Sequence, residues 1–95
     1  MFARVQTVHQ PAEKLDEMTK VARAQLPAAH ELPGFRGFYY LIDRDNGKAM
    51  VISLWETEED LRRVEANAAS RERTAAEAGI VSPPSEIFEV TLQAS

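Results

Sequence analysis

Residues 31–60 read ELPGFRGFYYLIDRDNGKAMVISLWETEED, and the fold turns on this stretch. Two apolar runs, Phe35 to Ile42 and Ala49 to Trp55, flank Asp45-Asn46-Gly47-Lys48. Asn-Gly accepts the positive φ angles of a tight hairpin turn, so the pair reads as an antiparallel β-hairpin. With Asn46 and Gly47 as a two-residue turn, Ile42 pairs with Val51, Tyr40 with Ser53 and Phe38 with Trp55. One face then carries Phe38, Tyr40, Ile42, Val51, Ser53 and Trp55. The opposite face carries Phe35, Tyr39, Leu41, Met50, Ile52 and Leu54. A three-residue loop would slip the register by one and mix the two sets. In either register both faces are apolar, whereas a hairpin with one wet face alternates with polar residues.

Downstream, Thr57 is a helix N-cap with Asp60 at the capping-box position, and Glu58 and Glu59 suit the positive end of the helix dipole. Leu61, Val64, Ala68, Arg71, Ala75 and Ala78 mark one face of a long helix that stops near Gly79. Pro83-Pro84 sets off a last strand, Glu86 to Leu92, with Phe88, Val90 and Leu92 on its apolar face. Upstream, Phe2 to Val8 reads as a strand with Ala3, Val5 and Thr7 on one side. Phe2, Arg4, Gln6 and Val8 lie on the other, where two polar residues are awkward for dry core. Pro11 suits the first turn of a helix whose stripe is Leu15, Met18, Ala22 and Leu26, and Pro27 kinks or ends it.

The order is β-α-β-β-α-β, an α+β, ferredoxin-like arrangement with a four-stranded antiparallel sheet and both helices on one side. Residues 1–95 form a single domain. Two helices cover one sheet face and leave the other, equally apolar, for a partner. The expected partner is a second copy, in a homodimer joined through the sheet faces.

Composition narrows the function. The net charge of −4 opposes a nucleic-acid partner, which needs a basic patch to neutralise phosphates. Absence of cysteine excludes disulfides, thiolate metal sites and a cysteine nucleophile. Two histidines, His9 and His30, without paired acids make no metal motif, so no metal is expected. No apolar run approaches a membrane span and no leader is visible, which gives a cytoplasmic protein as the expectation.

The runs Pro33-Gly34-Phe35-Arg36-Gly37, Asp43 to Gly47-Lys48, and Leu54-Trp55-Glu56-Thr57-Glu58-Glu59 resemble the antibiotic-biosynthesis-monooxygenase-like group of the dimeric α/β-barrel superfamily. The resemblance spans essentially the whole chain. It implies a homodimer whose sheets pack face to face into a barrel, with a pocket between each sheet and its own helices. It further implies a cofactor-independent oxygenase-like protein acting on or binding a small hydrophobic aromatic or quinone-type molecule. The alternative is a non-catalytic homodimeric ligand-binding or accessory protein. Polyketide-type members carry an Asn four residues before the strand-ending Trp and a Tyr shortly after it, where this chain has Val51 and Leu61. Haem-degrading members carry a Trp and an axial His in the second helix, where this chain has Val64 and Thr74.

Candidate site residues follow. Trp55 ends the third strand where the family often lines a pocket, and Tyr40 and Phe38 share its face. A buried Tyr hydroxyl needs a hydrogen-bond partner, which a ligand can supply. Asn67, beside the inward stripe of the second helix, is a candidate for a ligand carbonyl. His9, ending the first strand, is the candidate proton acceptor, because histidine titrates near neutral pH. Arg71 interrupts an apolar stripe and is the candidate for a developing negative charge. Arg4 and Gln6 either line the cavity or meet across the dimer.

Overall fold

The structure, a computed structural model, describes residues 1–77 and 83–94, with side chains described for 1–68 and 83–94. The order is β1 (Phe2–His9), α1 (Ala12–His30), β2 (Phe35–Asp43), β3 (Lys48–Trp55), α2 (Glu58–Glu77) and β4 (Ser85–Glu89). The strands form one antiparallel sheet in the order β2-β3-β1-β4. This is the β-α-β-β-α-β arrangement read from the sequence. The proposed stop of α2 near Gly79 lies outside the described residues.

The hairpin closes two residues away from the register read above. Asp43 pairs with Lys48, Tyr40 with Val51 and Phe38 with Ser53, so residues 44–47 make a four-residue loop. A two-residue type I′ turn needs positive φ at both central positions. Gly47 has φ +59, but no described non-glycine residue does, Asn46 included. Asp43 holds Asn46 instead, accepting its side-chain N–H at 2.7 Å and its backbone N–H at 3.4 Å. The slip is even, so side chains keep their faces. Phe35 is the exception. A bulge at Arg36 sets it opposite Trp55, and the two rings meet edge to face at 5.6 Å.

Helix α1 runs through Pro27 to His30, where a kink or stop was expected. Only one turn follows the proline, and it closes with short-range bonds from Glu31 N–H to the Ala28 carbonyl and from Leu32 N–H to the Ala29 carbonyl. Helix α2 begins as read: Thr57 Oγ1 accepts the Asp60 backbone N–H at 3.1 Å and donates to the Asp60 carboxylate at 2.8 Å. Strand β4 ends at Glu89, and Leu92 is 88% exposed rather than on a strand face.

Leu15 of α1 and Leu61 of α2 are fully buried against the sheet, with Ala49, Trp55 and Ala68 beside them. On the face away from the helices, Tyr39 is 55% exposed, Leu41 48% and Phe88 50%. One apolar sheet face is therefore covered within the chain and the other is open. No helix among the described residues is long and apolar enough to cross a membrane.

Candidate functional site

Strand alternation decides what meets α1. The even-numbered residues Phe2, Arg4, Gln6 and Val8 of β1 lie in register with Trp55, Ser53, Val51 and Ala49 of β3. Phe38 and Tyr40 of β2 complete this face. Between it and α1 lies an open cleft of about 430 Å³, within the roughly 300–1,000 Å³ typical of small-molecule sites. The sheet contributes Phe38, Tyr40, Val51, Arg4 and Gln6 to its wall. Helix α1 contributes Met18, Ala22 and Val21, with Lys14, Glu17 and Gln25 toward the mouth.

The Tyr40 hydroxyl is buried and has no hydrogen-bond partner among the described residues. Burial also pushes its pKa above the ordinary tyrosine value, so the phenol is neutral at neutral pH. The neighbouring polar groups are engaged. Arg4 Nε donates to Glu65 Oε1 of α2 at 2.5 Å, and Ser85 Oγ of β4 donates to the same oxygen at 2.7 Å. Arg4 Nη1 donates to Gln6 Oε1 at 3.2 Å, and Gln6 Nε2 donates to the Pro83 carbonyl at 3.0 Å. Burial by itself would push the Glu65 carboxyl up. The Ser85 hydroxyl and the Arg4 guanidinium outweigh that and hold it below the usual range. This network explains how two polar residues of β1 are accommodated beneath a helix.

Of the residues singled out in the sequence, the structure brings Phe38 and Tyr40 together with Arg4 and Gln6. Trp55 shares their face but is not part of the cleft wall. It is buried against Phe35, and its indole N–H donates to Ser53 Oγ at 3.0 Å. Asn67 is exposed on α2 and does not reach the cleft. His9 is exposed on the odd-numbered side of β1, the face away from α1. Opposite Lys48, it stands seven residues along the ladder from the Phe2–Trp55 pair, roughly 23 Å at strand rise. The Arg71 side chain lies outside the described residues. Glu65 was not singled out, although a sequence signal existed: it falls four residues after buried Leu61, on the side facing the cation of β1.

Comparison with solved structures gives the same architecture. MhuD, a haem degrader from Mycobacterium tuberculosis solved with two haems in its active site, superposes with a TM-score of 0.73 at 24% identity, covering 100% of both chains. A monooxygenase from the gene ActVA-Orf6 of Streptomyces coelicolor, solved with nanaomycin D, gives 0.67 at 22% identity over 99% of this chain and 92% of that one. SnoaB, a cofactor-independent oxygenase from Streptomyces nogalater, gives 0.63 at 20% identity over 97% and 92%. At these identities the likeness establishes the fold. Among curated proteins none matches. The histidines lie away from the cleft: α2 contains none, His9 is on the other sheet face, and His30 packs on Phe35 at 4.9 Å. The model of the antibiotic biosynthesis monooxygenase family matches residues 1–78, most of the length, and the chain belongs to that family.

Proposed function

We propose that this protein binds a small aromatic or quinone-type molecule in the cleft between α1 and the sheet and acts on it as a cofactor-independent oxygenase. The Tyr40 hydroxyl carries the proposal: it is buried, lacks a partner among the described residues, and shares the cleft wall with the apolar Phe38, Val51 and Met18. A buried hydroxyl left unpaired costs about 1–3 kcal/mol, and a ligand oxygen at hydrogen-bond distance offsets that cost.

In this reading the substrate supplies the chemistry. A phenol with a free ring C–H para to its oxygen is electron-rich once ionised. It passes one electron to dioxygen, and the two radicals combine to form a C–O bond. The resulting hydroperoxide loses water to leave a quinone, so one oxygen atom enters the ring and the other leaves as water. The protein holds the ring against Phe38 and Met18. Neutral Tyr40 donates to the substrate oxygen as negative charge develops there. Arg4 is held by Glu65, so the hydrogen bond from Tyr40 is what favours the anion. The proton leaves to solvent at the open mouth beside Glu17. A second reading, ligand binding without turnover, draws on one observation: among the described residues no histidine lines the cleft. We further infer that two copies pair through their open sheet faces, which is supported by the exposed Tyr39, Leu41 and Phe88.

Oxygen-electrode measurements with anthrone, whose enol is such a phenol, test the catalytic reading. The expected result is dioxygen uptake above the uncatalysed rate with anthraquinone as product, reduced by about three- to tenfold in Tyr40→Phe for loss of one hydrogen bond. Binding of anthrone without added uptake would establish the accessory reading instead. No binding at all would overturn the assignment of the cleft.

A further inference from the structure

We propose that the cleft selects an uncharged aromatic molecule over an aromatic carboxylate, and that Glu65, which lies behind the cleft wall, sets this preference by offsetting the positive charge of Arg4. The inference rests on the cleft being the ligand site and adds the charge class of the ligand.

The charges described around the cleft come in matched pairs. Arg4 on the sheet wall meets Glu65 at 2.5 Å, with side-chain exposures of 13% and 28%. Lys14 and Glu17 at the mouth lie 3.6 Å apart. Both ends of the Gln6 amide are used, one by Arg4 and one by the Pro83 carbonyl. Among the described residues, the unpartnered buried side-chain atom is the Tyr40 hydroxyl, which is neutral and offers one hydrogen bond. A carboxylate entering this space loses its hydration and faces a guanidinium whose field the Glu65 carboxylate largely cancels. That desolvation is not recovered. A phenol or ketone gives up far less hydration and satisfies Tyr40 with one oxygen.

Glu65 acts on the ligand through Arg4 and is a positioning residue. Glu65→Gln retains acceptor geometry toward Arg4 Nε and Ser85 Oγ while deleting one negative charge. Whatever else Arg4 touches, deletion of that charge raises the potential at the cleft wall.

Isothermal titration calorimetry at neutral pH with 1-naphthol and 1-naphthoate, molecules of nearly the same shape, tests this on the whole chain. In the wild type, 1-naphthol is expected to bind at least about tenfold more tightly than 1-naphthoate. In Glu65→Gln that ratio is expected to fall by about tenfold, the size of one partly screened charge at this range. Adding Arg4→Gln to Glu65→Gln should reverse the gain in naphthoate affinity, which general loosening of α2 would not do. Equal or tighter naphthoate binding by the wild type would overturn the inference and leave the cleft as a ligand site. A ratio unchanged in folded Glu65→Gln would overturn the role of Glu65. If neither compound binds the wild type, the cleft assignment itself fails. The wild-type comparison stands even if the variant does not fold.

Discussion

Glu65 Oε1 receives hydrogen bonds from Arg4 Nε and Ser85 Oγ, and so one carboxylate oxygen links α2 to β1 and β4. Because its pKa in the folded protein is depressed, Glu65 contributes stability above the ordinary glutamate pKa, and that contribution is lost as pH falls through the folded value. Urea denaturation should therefore show the wild type more stable than Glu65→Gln at neutral pH. The gap should close as the pH falls below the ordinary glutamate range and through the lowered folded value, where the carboxylate protonates. A gap independent of pH would mean the charge is not what stabilises the contact. Legibility at this scale followed strand alternation. Phe38, Tyr40, Arg4 and Gln6 share a face because their positions are even, and a two-residue slip leaves parity unchanged. His9 has the opposite parity and stands on the other face of the sheet. The Arg4–Glu65 contact joins residues 61 apart and required the tertiary fold to be seen.

Among elements, the turn into β2 and the start of α2 depend on each other. Gly34 has φ +78, and a Cβ there would lie 2.0 Å from Asp60 Oδ2, in the capping box of α2. Its carbonyl also accepts the Glu56 N–H at 2.8 Å. Gly34→Ala combines an unfavourable backbone conformation, about 1–2 kcal/mol, with displacement of a cap, about 1 kcal/mol. We expect a loss of at least about 2 kcal/mol in chemical denaturation, and a change below about 0.5 kcal/mol would contradict this coupling. The capping box was legible because Thr57 and Asp60 are local. The hairpin loop was not, because Asp43 competes for Asn46 through its side chain and Asn-Gly alone does not specify the turn. The bulge at Arg36 moved Phe35 to the Trp55 side, a change that hydrophobic alternation does not encode.

At the scale of the molecule, one sheet divides the work between two faces. The helix face encloses a cleft with a neutral, unpartnered hydroxyl. The open face presents Tyr39, Leu41 and Phe88, and pairing with a second copy would remove this apolar surface from water at roughly 25 cal/mol per Å². We expect a dimer in native mass spectrometry of the wild type and a monomer for Leu41→Glu; a monomeric wild type would contradict sheet pairing. Element order was legible along the whole chain, and the two apolar sheet faces were legible in the hairpin. The cleft's dimensions were not, since they depend on how far Met18 and Ala22 of α1 stand from Tyr40. The central claim is that this cleft is the ligand site. Nuclear magnetic resonance of the labelled protein during titration with 1-naphthol tests it most directly. Shift changes should centre on Phe38, Tyr40, Val51, Met18 and Ala22 and leave His9 and Leu41 unmoved. Changes centred on Tyr39, Leu41 and Phe88, or none at saturating ligand, would contradict it.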